Sequence, residues 1–381
     1  SPVVKISYEL TQDGLLIGKG KLAEVSVVPH SEGKTNLQVN VPENGKCYLK
    51  LTYHLKKELP LLDEDHILGF DEIEVSQKDA KCQLAEKWVE KTVTDSELQV
   101  SEDDTQIHIK GREFAYTIDR RTALFTEMKF AGREYLNHPM ELNIWRAPTD
   151  NDMYIKSEWK KAHYDKAYTR AYTTEVVQGK HGVKITSHAS VVAETVQKIL
   201  DVTITWKIEA AGKIDADIAV TKDDEFPDLP RFGVRMFLDK KLSAARYFGM
   251  GPQESYCDKR QAASHGLYRA DVGDLHEDYI RPQENGSHYD CEYVELNNSR
   301  YGIVASAEKA FSFNASYYTQ EELEKKTHNY ELIESDSVVF CVDYALNGIG
   351  SNSCGPVVLE QYRFDDVLFR FQFTLIPYVK G

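Results

Sequence analysis

Alternation with a period of two constrains this chain more than any other feature. From Val202 to Ile208, and again from Ile214 to Val220, apolar side chains occupy every second position, and Ala-Ala-Gly at 210–212 separates the runs. Side chains spaced in this way share one buried face only in a strand, and two such runs joined by a short glycine-containing turn read as a hairpin. Leu37, Val39 and Val41 alternate likewise, as do Leu49, Leu51, Tyr53 and Leu55. DG at 13–14, EGK at 32–34, NGK at 44–46 and GK at 179–180 punctuate the chain as turns. Helical stretches are few. SEWKKAHYDK at 157–166 reads as a short helix, and TQEELEKK at 319–326 opens with the Thr319/Glu322 spacing of a capping box. The strand–helix alternation of a (β/α)8 barrel or a doubly wound sheet is missing. The expected fold class is all-β.

A chain of 381 residues exceeds the usual size of one hydrophobic core, so two domains are expected. The polar stretch AEKWVEKTVTDSE at 85–97 carries no strand alternation and marks the boundary. Residues 1–90 have the size and strand spacing of an immunoglobulin-like β-sandwich. Residues 91–381 are long for one sandwich and call for a large double sheet. Neither part holds an internal repeat.

Charge excludes some functions. A net charge of −15 argues against nucleic acid and against anionic membrane surfaces, which need clustered Lys and Arg. No apolar run approaches the ~20 residues of a membrane helix. The opening SPVVKISYEL has no signal-peptide pattern, and the missing initiator Met fits a fragment or a processed chain. Six dispersed cysteines without a CxxC pair read as free thiols in a reducing compartment rather than a zinc site. A cytoplasmic location is expected, with a periplasmic one the alternative.

Polar residues cluster in a few loops. WRAPTDND at 145–152 is the densest cluster; it reads either as an Asx turn capping its own backbone or as a loop presenting Arg146, Asp150, Asn151 and Asp152 to a polyhydroxylated ligand. GMGPQESYCDK at 249–259 lacks the third glycine and the strand–helix context of a nucleotide loop. RPQENG at 281–286 and NGIGSNSCGP at 347–356 complete the set. Histidines 265, 276 and 288 lie in polar, loop-like stretches, and no G-x-S-x-G nucleophile elbow occurs. Several of the 22 tyrosines, among them Tyr154, Tyr164, Tyr256, Tyr317 and Tyr318, sit in loop-like positions and tilt the reading towards carbohydrate.

Taken in order, these four loop motifs resemble the C-terminal portion of bacterial β-galactosidases of glycoside hydrolase family 2. Residues from about 98 to 380 resemble that family's small-chain domain, a β-supersandwich similar in fold to galactose mutarotase. Residues 1–90 resemble the immunoglobulin-like domain before it, most clearly in LGFDEIEVSQ at 68–77. The resemblance implies retaining hydrolysis of terminal β-D-galactosides by two glutamates in a (β/α)8 barrel that this sequence lacks. It places the family's magnesium and sodium there too, leaving this chain without a catalytic residue, metal or cofactor.

As partners it implies sugar-binding-like, immunoglobulin-like and barrel domains, on the same chain or on a large subunit, and a homo-oligomer when complete. Within this chain the resemblance puts Cys354 at the family's aromatic sugar-platform position, with Asn352 and the Arg146–Asp152 turn as neighbours on one wall of the pocket. Cys in place of Trp implies weaker stacking on an unchanged loop. After WRAPTDND the chain runs directly into SEWKKAHYDK, a shorter loop than the family's. The alternative is a chain acting alone on sugars, as a carbohydrate-binding module or as an epimerase using His265, His276 or His288.

Overall fold

The computed structural model describes residues 3–23, 27–28, 30–78, 80–84, 98–350 and 355–380. The chain is all-β, as its alternation requires. Strands β1 (Val4–Gln12), β2 (Leu15–Lys21), β3 (Cys47–Leu55) and β4 (Ile67–Glu74) form one antiparallel sheet in the order β2-β1-β3-β4. Asp13 and Gly14 turn β1 into β2 with φ of 47° and 76°, the left-handed pair a tight hairpin demands.

A five-stranded meander follows: β5 (Gln99–Glu102), β6 (Gln106–Lys110), β7 (Phe114–Asp119), β8 (Leu124–Phe130) and β9 (Arg133–Glu134). The remaining strands build a twelve-stranded sheet. They are β10 (Leu136–Asn143), β11 (Tyr168–Gln178), β12 (Gly182–Val192), β13 (Leu200–Glu209), β14 (Ile214–Lys222), β15 (Arg231–Asp239), β16 (Ala244–Gly251), β17 (Ser264–Asp271), β18 (Ser287–Asn297), β19 (Tyr301–Ser316), β20 (Ser337–Leu346) and β21 (Leu368–Val379). The main path runs β10-β15-β20-β19-β21-β14-β13-β12-β11, and β18, β16 and β17 branch from β19.

The β13–β14 hairpin pairs Val202 with Val220, Ile204 with Ile218 and Trp206 with Ala216, all buried. Period-two alternation therefore delivers one apolar face, and the five-stranded meander covers it. Trp206 fixes the two layers: its Nε1 donates to Ala123 O at 2.8 Å and its ring meets Phe125 edge-on at 4.9 Å. The helices are short, α1 (Ile155–Lys161) and α2 (Gln320–Lys325). Thr319 caps α2, its Oγ1 accepting from Glu322 N at 3.1 Å.

Two local expectations fail. Leu37, Val39 and Val41 are half-buried and belong to no strand, and among the described residues no strand pairs with them. Histidines 265 and 288 belong to β17 and β18 rather than to loops. The boundary expected at 85–97 falls outside the described residues.

The first sheet packs directly on the third. Tyr48 of β3 joins Phe248, Tyr293, Val304, Ile376 and Tyr378 in a small apolar cluster with Cys82 and Leu84. Lys50 Nζ donates to Ser264 Oγ at 3.0 Å across the same seam. No helix is long and apolar enough to cross a membrane among the described residues.

Candidate functional site

The four polar motifs, spread over some 200 positions, meet at one place. At its centre is the short run Asn347–Gly350, which leaves β20. Arg146 is wholly buried, and its guanidinium lies over Trp159 at 5.2 Å. Its Nε and Nη2 donate to the Asp152 carboxylate at 3.1 and 2.7 Å, while Nη1 and Nη2 donate to the carbonyls of Asn347 and Gly348. Burial works against this charge, but Asp152 outweighs it and the guanidinium is held above its ordinary pKa. Asp152 also accepts Thr149 N at 2.8 Å. Asp152 thus caps the backbone of its own turn by reaching back to residue 149, a capping-box contact rather than an Asx turn, and Arg146 works as a clamp on the run after β20.

The next peptide is gripped from both sides. Asn151 Nδ2 donates to Ile349 O at 2.8 Å, and Asp258 accepts Ile349 N at 3.1 Å and Gly350 N at 2.7 Å. Asn347 Oδ1 accepts Phe364 N at 2.9 Å, and Gly348 N donates to Tyr362 O at 2.8 Å. Backbone groups of a loop that would otherwise bond to water are thus fixed by side chains from remote segments. Of the residues predicted for a site, Asp150 is exposed at the rim, where its N–H donates to Gln283 Oε1 at 3.0 Å. Asn352 and Cys354 lie outside the described residues.

The third motif ties the turn to the sheet. Glu284 N donates to Ala147 O at 3.0 Å, and the Glu284 carboxylate faces the buried Arg231 at 3.3 Å. Arg231 also bonds Asp343 of β20. These two carboxylates hold the guanidinium well above its ordinary pKa, against the effect of burial. Glu254 of GMGPQESYCDK accepts Gly286 N at 2.9 Å and pairs with Lys259 and Tyr279. The glycines of that motif serve packing: a Cβ on Gly249 would sit 2.1 Å from Cys291 Sγ. Asp258, Arg231 and Gln283 carry much of this junction, and reading the sequence did not single them out. No spacing signal reveals a contact between residues 91 apart, such as Asp258 with Ile349.

The junction leaves an exposed rim. Met153 and Tyr154 are 41% and 61% exposed beside Asp150, whereas Tyr164 and Tyr256 are buried in the core. The three histidines are placed apart from one another. His265 lies at the seam with the first sheet, between Glu72 and Asp290. His288 packs against Tyr247 and Phe313, and burial pushes its pKa down to about 4. Burial also lowers the pKa of His276, whose ring leans on Tyr318. Among the described residues no three His, Cys, Asp or Glu side chains gather as ligands for a metal ion.

Comparison with known proteins matches the chain to a family. Residues 110–375 fit the model of the beta galactosidase small chain, and residues 3–76 fit beta-galactosidase domain 4. A β-galactosidase of Actinobacillus pleuropneumoniae is 41% identical over 97% of this chain and 36% of its own length. One from Staphylococcus xylosus is 31% identical over 91% of this chain and 34% of its own. The chain spans about a third of the length of these curated relatives. A solved galactose 1-epimerase from Lactobacillus acidophilus overlays 76% of this chain and 100% of its own, at 8% identity and a TM-score of 0.41. With a small-chain match over most of its length and a domain-4 match ahead of it, this chain belongs to the β-galactosidase small-chain family.

Proposed function

We propose that this chain is the non-catalytic part of a cytoplasmic retaining β-galactosidase that cleaves terminal β-D-galactosides. Residues 1–90 act as one domain and 91–381 as a second. Together they dock on a barrel that supplies the acid/base and nucleophile carboxylates, which stand about 5–5.5 Å apart in retaining enzymes. The barrel also holds the magnesium and sodium. The barrel and the leading domains belong to the same enzyme or to a large subunit, and the complete enzyme is a homo-oligomer.

The observation that carries this reading is the convergence of four remote motifs on Asn347–Gly350. Two buried ion-pair systems and a row of side-chain-to-backbone bonds hold a run that leads directly to Asn352 and Cys354. Buried charges are costly to assemble, and breaking one side of such a pair is strongly destabilising, so these pairs hold the run in one conformation. In this reading the run is a rigid wall of the galactoside pocket. Asp150 and Asn352 offer hydrogen bonds to hydroxyls, Tyr154 offers a ring face, and Cys354 lies where the sugar stacks. Arg146 and Asn151 act through the wall, by positioning it.

The test is activity of the isolated chain on nitrophenyl galactoside. No turnover is expected alone, and turnover is expected once the remaining part of the enzyme is supplied. Hydrolysis by the chain alone, in proportion to its concentration, would overturn the assignment. In the completed enzyme, Cys354→Trp and Cys354→Ala should change KM or inhibitor affinity; if neither does, the wall does not touch sugar.

A further inference from the structure

The twelve-stranded sheet buries one face, and its other face is hollowed into a cavity of about 730 Å3 between β14, β21, β19 and β20. That volume lies within the roughly 300–1,000 Å3 of small-ligand sites. Consecutive residues of β14 (Asp215–Asp217) and β21 (Arg370–Thr374) line its floor, so the core residues Ala216, Phe371 and Phe373 border it together with outward-facing Asp217 and Arg370. Two polar pairs occupy part of it: Arg370 Nε donates to Asp217 at 2.6 Å, and Thr374 Oγ1 donates to Asp215 at 2.7 Å.

The wall above this floor differs. Tyr289, Tyr344 and Tyr362 line it, and none of their hydroxyls has a hydrogen-bond partner among the described residues. The ring of Tyr344 is seated by stacking on Phe369 at 4.8 Å. Asp366 lies beside Tyr344 with no cation paired to it among the described residues; burial, then Asp365, raise its pKa.

We infer that this cavity binds a neutral di- or oligosaccharide at a site separate from the pocket wall proposed above, and independently of that proposal. A pyranose presents CH groups to an aromatic face and hydroxyls at its edge. Tyr344 supplies the face, while Asp366 and the tyrosine hydroxyls supply acceptors and donors not consumed by the protein. Four basic and five acidic side chains line the cavity, so no single-sign field selects a phosphate or a polyamine. The lining contains no histidine, which makes this a binding site rather than an epimerase centre. Leu346 and Tyr362 belong to the lining, and Tyr362 O accepts Gly348 N, so an occupant bears on the base of the clamped run.

Calorimetric titration and saturation-transfer NMR on the whole chain with lactose test this directly. Saturable binding with a Kd on the order of 1 mM is expected. Asp366→Ala and Tyr344→Ala should each weaken it tenfold or more with the thermal transition retained. Asp103→Ala, in the exposed turn between β5 and β6 and part of neither site, should leave it unchanged. Inorganic phosphate and spermidine should not compete. If Tyr344→Ala does not fold, Tyr344→Phe, which keeps the ring, is expected to weaken binding less than Asp366→Ala. Three results would overturn the inference: no binding at about 50 mM lactose, binding indifferent to Asp366→Ala, or competition by either charged probe.

Discussion

His265 of β17 lies between two carboxylates from different strands of the seam: its Nδ1 is 2.6 Å from Glu72 Oε1 of β4, and its Nε2 is 3.0 Å from Asp290 Oδ2 of β18. Its ring stacks on Tyr48 of β3 at 4.1 Å, nearly parallel. Glu72 also accepts the His265 backbone N–H. Asp290 has φ of 55° at an irregularity in β18, which turns its side chain towards the imidazole. One protonated ring therefore joins the first sheet to the third.

This bridge has a pH signature. Burial disfavours the imidazolium, but hydrogen bonds and charge from Asp290 and Glu72 outweigh it and raise the pKa from 6.5 to about 9. Because the folded value is raised, the stabilisation is complete below about 6.5 and is lost as pH rises through about 9. Its ceiling is on the order of 3 kcal/mol. The melting temperature should fall between pH 6.5 and 9, and it should fall less steeply in His265→Gln. Equal slopes in the two proteins would exclude the bridge as the cause.

Arg146→Ala removes the only cation paired to Asp152 among the described residues and strips the carbonyls of Asn347 and Gly348 of their donors. Breaking a buried pair from one side costs about 3–5 kcal/mol. Urea denaturation should show a loss of that size, with part of it recovered in Arg146→Ala combined with Asp152→Asn.

Asp258→Ala acts more locally. The amides of Ile349 and Gly350 lose their acceptor, at a cost of about 1–3 kcal/mol. Hydrogen exchange should quicken at these two amides and stay unchanged along β13. Asp258→Asn, with one acceptor oxygen left, should fall between.

Gly249→Ala would place a Cβ 2.1 Å from Cys291 Sγ and 2.9 Å from Cys291 Cα. Overpacking of this kind costs about 1–3 kcal/mol. Adding Cys291→Ala should restore part of the stability, since the sulfur contact disappears and the backbone contact remains. Full restoration would mean that the backbone yields freely.

The sequence by itself determined the all-β class, the β13–β14 hairpin, the capped helix α2 and the loops that carry the polar motifs. Each rests on neighbours in the chain, where spacing and turn chemistry suffice. The same local rules misjudged Leu37–Val41, since alternation marks a face but cannot supply the strand that must lie beside it. They also left Arg146 open to two readings. Only tertiary structure buried its guanidinium, brought Asp258 to the Ile349 and Gly350 amides, and set His265 between Glu72 and Asp290. Those pairings join residues up to 193 positions apart. They are decided by how sheets stack and where strands bulge, which no short window of sequence encodes.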